Sequence, residues 1–149
     1  MSTRMNMRET SPEGYKAMLG FEKFLAASSL THTHKDLIKI RTSQINGCAY
    51  CIDQHTKEAR THGETEQRIY ALNAWRDTPF FTEAERAILA LTEEVTLIAN
   101  HVKDETYNNA AKLMGDKYLS EVIFAVITMN AWNRIGIATG MQPALQLVG

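Results

Sequence analysis

Residues 41–59 have the sequence RTSQINGCAYCIDQHTKEA, in which one helix end is followed at once by a helix start. Asn46-Gly47 predicts the end of the first helix, because glycine often occupies the position just beyond a helix. The next helix is expected to start around Cys48 and to continue to about His62-Gly63, a second glycine stop. The segment therefore predicts two helices joined by a tight turn, with two cysteines at the start of the second helix.

The sequence on both sides of this turn also predicts helices. Ser11-Pro12 is typical of a helix start, since serine can cap a helix and proline is tolerated at its first position. Thr82-Glu83-Ala84-Glu85 has the pattern of a capping box. Few runs of alternating β-branched residues occur, which disfavours strands. We expect a compact all-α bundle of about seven helices in a single domain, residues 1–149. The expected helices start at Ser11, within residues 30–33, near Cys48, near Glu66, at Thr82, at Asp104 and near Leu119.

Composition and charge exclude several classes of partner. The chain has 149 residues, 44% of them hydrophobic, so it can bury a core without help from disulfides or metals. Its 16 basic and 17 acidic residues are scattered, which disfavours binding to nucleic acid or to an anionic membrane. Residues 122–133 are uncharged but fall short of the roughly 20 residues that span a bilayer. Because the N-terminus lacks the apolar core of a signal peptide, we expect a cytoplasmic protein.

Cys48, Cys51 and His55 form the candidate catalytic group. Residues three and four apart share one face of a helix, so these side chains are expected to face one space. The helix N-terminus favours the thiolate form of Cys48. The spacing also sets the two Cα atoms about 5 to 6 Å apart, a distance that a disulfide accepts. His55 can take a proton from Cys51 directly or through one water.

Asp36 is the acid that we expect to orient His55. In an antiparallel hairpin about Gly47, Asp36 lies 11 residues before the turn and His55 lies 8 residues after it. The offset of about 4.5 Å along the helix axes is short enough for an acid, alone or with one water, to contact the imidazole. Its alternative role is to cap its own helix or to offset that helix's dipole.

Zinc binding is the main alternative role for the cysteine pair. Cys48, Cys51 and His55 offer three ligands, and His32 or His34 could supply a fourth. However, the three principal groups stand on a single helix, whereas structural zinc sites usually draw ligands from a second segment. We therefore expect neither a metal nor a cofactor.

The same residues carry a resemblance to a known family. Residues 41–59 resemble the core of the carboxymuconolactone decarboxylase family, in its alkylhydroperoxidase D-like branch. Residues 85–93 and 130–134 are also similar, so the likeness covers most of the chain. In the peroxidase branch an acid precedes the first cysteine by twelve residues, and Asp36 stands there where the family usually has Glu. The best-known members also carry His just before the second cysteine, where this chain has Tyr50.

The resemblance implies a thiol-dependent peroxidase or disulfide reductase that assembles into dimers, trimers or hexamers. Cys51 would attack a hydroperoxide, Cys48 would resolve the sulfenic acid, and an external lipoyl or thioredoxin-like dithiol would reduce the disulfide. Two alternatives remain at this point. One is the decarboxylase that names the family, and the other is a non-catalytic redox-sensing or zinc-binding oligomer. Residues 119–137 are apolar on nearly every side, which predicts packing against another subunit, where Asn130, Asn133 and Arg134 would need partners.

Overall fold

The computed structural model describes residues 4–146, and every regular element within them is a helix. The all-α prediction is therefore confirmed. The α-helices are α1 (Met7–Thr10), α2 (Pro12–Ala26), α3 (His32–Asn46), α4 (Ala49–Thr61), α5 (Glu66–Tyr70), α6 (Glu83–Thr96) and α7 (Asp104–Thr139). Short 3₁₀ helices cover Leu72–Asp77 and Ile98–Asn100.

Helix α3 lies at the centre of the bundle and packs against α4, α6 and α7. Ile38 faces a core cluster that α6 and α7 complete with Ile88 and Val126. Leu37 and Ile40 face a second cluster that reaches the Leu72–Asp77 segment. Because α3 is buried on several sides, its position is fixed by packing rather than by its own helix propensity. The turn that follows it, and hence the cysteine pair, is held by this core.

Two of the predicted helix starts are confirmed at their caps, whereas Ser11 occupies the N-cap of α2 without a capping hydrogen bond from its side chain. Thr82 and Glu85 form the reciprocal capping box, and Thr31 caps α3 by accepting a hydrogen bond from the His34 backbone. The helix break predicted at Gly115 is confirmed, because the helical backbone of residues 104–139 is interrupted there. Gly115 has φ +74° and ψ 159°, a conformation that glycine adopts without strain, and the chain is helical on both sides of it. The last helical stretch therefore resumes directly after Gly115 and not near Leu119 as predicted.

Helix α7 is the one helix among residues 4–146 with the length and composition of a membrane span. Core helices of soluble proteins share this length and composition. Its inward face carries the buried polar residues Glu121 and Asn133 and packs against α3 and α6. The chain therefore has a soluble helical fold.

A half-buried carboxylate joins α3, α6 and the Leu72–Asp77 segment. Glu93 of α6 accepts hydrogen bonds from Arg41 Nε on α3 and from the indole nitrogen of Trp75, each at 2.8 Å, and from Arg76. Burial acts to raise the pKa of Glu93, but these three donors outweigh it and hold the pKa below its usual value. The carboxylate thus stays charged and links α3, α6 and the Leu72–Asp77 segment.

We expect Glu93→Ala to lower the free energy of unfolding by about 1–3 kcal/mol, since it leaves the buried Trp75 and the half-buried Arg41 without their acceptor. Urea unfolding at pH 7 measures the loss. The control is Asp53→Asn, which breaks the exposed ion pair with Lys57 and should cost less than about 0.5 kcal/mol. Equal losses in the two variants would contradict the role assigned to Glu93.

Candidate active site

The turn between α3 and α4 presents the first cysteine as a helix cap. Gly47 ends α3 in the left-handed region at φ +71°, which glycine adopts without strain. Cys48 is the N-cap of α4, and its sulfur accepts a hydrogen bond from the backbone N–H of Cys51 at 3.4 Å. This donor and the positive end of the helix dipole stabilise negative charge on Cys48 when the pair is reduced.

Cys48 and Cys51 form a disulfide with their Cα atoms 5.3 Å apart, as their spacing predicted. Both residues are nearly buried, with exposed fractions of 2% and 5%. The backbone of α7 covers the bond at Gly136. A β-carbon there would lie 3.2 Å from the Cys48 sulfur and 3.6 Å from the Cys51 sulfur. Helix α7 can therefore pack directly on the disulfide only because residue 136 has no side chain.

We expect Gly136→Ala to destabilise the oxidised protein by about 1 kcal/mol, because the added methyl group overpacks the contact with the sulfurs. Urea unfolding without reductant measures the change. The control is Gly20→Ala in α2, where a β-carbon would meet no atom within 4 Å. That substitution should stabilise the protein by about 0.5–1 kcal/mol through helix propensity alone. Stabilisation of similar size in both variants would refute the packing argument.

Polar side chains join the end of α3 to the same part of α7. Asn133, fully buried, donates to the Ser43 hydroxyl at 3.0 Å. Asn46 donates to the amide oxygens of Asn133 and Asn130 at 3.0 and 2.9 Å. We expected Asn130, Asn133 and Arg134 to find their partners in a second subunit. That expectation is wrong, because Asn130 and Asn133 have the partners just described and Arg134 bonds Asn130, all within this chain. These bonds fix the residue directly before Gly47 and so position the cysteine turn.

A cavity of about 780 Å³ opens beside the disulfide. Cys51 and His55 line it, whereas Cys48 is not among its lining residues. Tyr50 also forms part of the wall. Residues 4–8 and the end of α7 close the other side. A small molecule in this cavity would meet Cys51 before Cys48.

His55 is paired with Glu58 on its own helix. Its Nδ1 lies 2.8 Å from a Glu58 carboxylate oxygen. Burial lowers the pKa of His55, and the hydrogen bond to Glu58 only partly opposes that effect. A neutral ring that donates from Nδ1 has Nε2 as its acceptor. His55 is thus suited to accept a proton at neutral pH.

Asp36 lies elsewhere, and the expected contact with His55 is not made. Its carboxylate is 2.7 Å from Nδ1 of His62, at the C-terminal cap of α4. Along the hairpin, Asp36 is offset from His55 by three residues and from His62 by four, about 4.5 and 6 Å, so both histidines lie at a similar height. The rotation of α4 about its axis decides the pairing. Lys39, eight residues before Gly47, is the α3 residue level with His55.

We expect Glu58→Gln to lower the pKa of His55 further, because the carboxylate that favours the protonated ring is removed. Histidine ring signals followed by NMR between pH 4 and 8 measure this. Asp36→Asn is the matched control and should leave the His55 titration unchanged, since Asp36 bonds His62. A shift of His55 in the Asp36 variant alone would restore the predicted relay.

The two histidines considered as a fourth zinc ligand are also placed away from the cysteines. His34 lies 2.5 Å from the Tyr118 hydroxyl, and the ring of His32 packs against that of His62 at 4.5 Å. No group of three His, Cys, Asp or Glu residues within residues 4–146 is arranged to hold a metal ion.

Sequence reasoning missed three residues at the site. Glu58 could have been found, since it follows His55 by three residues on a predicted helix and therefore shares its face. Lys39 could have been found by counting residues from Gly47, since Lys39 precedes it by eight residues and His55 follows it by eight. Gly136 gave no signal, because nothing in the local sequence indicates that it touches a segment almost ninety residues earlier.

An all-helical bundle with a Cys-x-x-Cys disulfide at a helix N-terminus, beside a histidine and a cavity, defines a class of thiol–disulfide proteins. Comparisons with known proteins give the family. The model of the carboxymuconolactone decarboxylase family matches residues 12–94. The chain belongs to this family.

Its relatives extend the likeness to the whole chain. An uncharacterized protein of Bacillus subtilis (strain 168), YdfG, is 45% identical over 145 residues, which are 97% of this chain and 99% of the relative. A crystal structure from Agrobacterium tumefaciens, ATU0492, has a TM-score of 0.94 at 37% identity and covers 97% of this chain and 100% of its own. ATU0492 is of unknown function, with a suggested role in antioxidant defence as AhpD. A peroxidase-related protein of Silicibacter sp. TM1040, 21% identical with a TM-score of 0.79 over 90% of this chain and 72% of its own, shows the fold alone.

Proposed function

We propose that this protein is a thiol-dependent hydroperoxidase in which Cys51 attacks the peroxide. The observation that carries the proposal is the placement of Cys51 and His55 on the cavity wall, with Cys48 behind them. An attacking sulfur must be reached by substrate, whereas a resolving sulfur needs only to reach its partner. The suggested antioxidant role of ATU0492 supports the same function.

The proposed cycle starts from the dithiol. His55 accepts the Cys51 proton, and the thiolate attacks one oxygen of the hydroperoxide. The O–O bond breaks, an alcohol leaves with a proton, and Cys51 becomes a sulfenic acid. Cys48 then attacks that sulfur and releases water as the disulfide forms. Glu58 positions His55 throughout and takes the role that was predicted for Asp36.

An external dithiol must then supply two electrons to regenerate the enzyme. We propose that its thiolate attacks Cys51, the sulfur that lines the cavity, and that Cys48 leaves. A leaving thiolate of low pKa departs faster, and the hydrogen bond at the helix cap stabilises Cys48 in that form. A lipoyl or thioredoxin-like donor fits this requirement. The same need for a reducing supply favours a cytoplasmic location.

We also propose a homo-oligomer, as the family resemblance implies. Phe24 of α2 and Phe124 of α7 are 40% and 41% exposed and pack edge to face, with ring centroids 5.2 Å apart. Ile127, one turn further along α7, is 44% exposed. These side chains provide an apolar surface that a second copy would bury.

The test is consumption of cumene hydroperoxide by the reduced protein with excess dithiothreitol. We expect Cys51→Ser to lower turnover on the order of a hundredfold or more, because the attacking sulfur is lost. Cys48→Ser that has been reduced and then freed of dithiothreitol should consume about one equivalent per chain and leave a sulfenic acid on Cys51 that dimedone traps. The two variants control for each other, since each removes one sulfur of the same pair.

Unchanged turnover in both variants would overturn the proposal. Release of CO₂ from a γ-lactone acid, independent of either cysteine, would instead support the decarboxylase that names the family. The disulfide at the cavity wall favours the thiol reaction, because decarboxylation has no evident use for two cysteines.

A further inference from the structure

We propose that the cavity beside Cys51 selects organic hydroperoxides that carry a carboxylate, with the ammonium group of Lys39 binding that carboxylate. The inference rests on the proposed peroxidase function and specifies its substrate class. In this inference Lys39 determines substrate specificity and takes no part in the reaction at the cysteine sulfurs.

The position of Lys39 relative to the reacting group follows from the α3–α4 hairpin. Lys39 precedes Gly47 by eight residues and His55 follows it by eight, so the two lie level on adjacent helices. The charge of Lys39 acts to lower the pKa of both His55 and Glu58, as expected for a neighbouring cation. Cys51 lies four residues before His55, about 6 Å along α4. A carboxylate bound by Lys39 would therefore stand about one helical turn from the attacking sulfur.

Lys39 is available to a ligand because the acids in the cavity wall already have partners. Glu22 accepts a hydrogen bond from the Trp132 indole at 2.8 Å. Glu58 accepts hydrogen bonds from Gln54 and from His55. Across residues 4–146, the Lys39 ammonium group makes no hydrogen bond or ion pair with another side chain. Lys39 lines the cavity, and no carboxylate forms an ion pair with it among the described residues.

The rest of the wall suits an apolar molecule with an anionic end. Leu19, Met129 and Ile135 supply an apolar surface beside the aromatic ring of Trp132. A volume of about 780 Å³ lies within the roughly 300–1,000 Å³ of sites for small organic ligands. An ion pair formed against such a surface is less screened than one in water and fixes the orientation of the ligand. A neutral peroxide would enter the same cavity without that orientation.

The proposed binding leaves the carboxylate chemically unchanged. The thiolate of Cys51 takes one peroxide oxygen, the O–O bond breaks, and the product is the corresponding hydroxy acid. Cys48 and the external dithiol complete the cycle as described above. Lys39 thus affects substrate selectivity and leaves the stoichiometry of the reaction unchanged.

The binding test uses the oxidised protein and a compound that cannot react. Isothermal titration calorimetry compares 4-isopropylbenzoate with 4-isopropylbenzamide, which has a similar size and no charge. We expect the carboxylate to bind about tenfold more tightly. The preference should fall to within about twofold in Lys39→Gln and persist in Lys39→Arg, which keeps the positive charge. Lys112→Gln, at an exposed position of α7 outside the cavity, is the matched control and should keep the full preference.

The activity test compares kcat/KM for cumene hydroperoxide and its 4-carboxyl derivative in the same four proteins. We expect the ratio to favour the carboxylated substrate about tenfold in every protein except Lys39→Gln. Equal binding of carboxylate and amide by the natural sequence would overturn the inference, as would a preference that survives Lys39→Gln. Arg8→Gln is measured as a fifth protein, because Arg8 also lines the cavity, and it should keep the preference. Loss of the preference in Arg8→Gln but not in Lys39→Gln would overturn the assignment to Lys39. A binding preference without any peroxide turnover would refute the proposed function and leave the carboxylate site standing.

Discussion

The contact between α7 and the α3–α4 turn is the constraint on which the rest of the site depends. At Gly136 the helix backbone packs against both sulfurs, and Asn133, three residues earlier, bonds Ser43 and Asn46. A side chain at position 136 would push α7 away from the sulfurs. Loss of the Asn133 bonds would leave buried polar groups at the turn without partners. Packing on the start of α4 and hydrogen bonding to the end of α3 thus hold α7 against both sides of the turn.

This arrangement separates the two cysteines by access, although they are three residues apart. Cys48 lies under α7 and caps α4, whereas Cys51 lines the cavity. The chemistry of each sulfur follows from its surroundings. The capping position stabilises a thiolate that leaves or resolves, and the cavity position admits a substrate or a reductant. Helix geometry provides the pair, and the packing of α7 gives its members different roles.

Charge around His55 is arranged by both helices of the hairpin. Glu58 on α4 holds the ring through Nδ1, and Lys39 on α3 brings a positive charge to the same level. Burial keeps the pKa of His55 below its ordinary value, so the ring is neutral where a base is needed. A carboxylate bound at Lys39 would add a negative charge near this group. Substrate binding and proton transfer would then be coupled through one short segment of the hairpin.

The sequence by itself determined the helical class, most of the helix starts, the capping box at Thr82, the turn at Gly47 and the spacing of Cys48, Cys51 and His55. These features depend on local rules, since helix periodicity and capping act over three or four residues. Only the tertiary structure decided that Asp36 pairs with His62, that Glu58 and Lys39 flank His55, and that Gly136 covers the disulfide. Rotation of one helix about its axis changes partners without changing any local pattern, and packing between residues 48 and 136 leaves no local sequence signal.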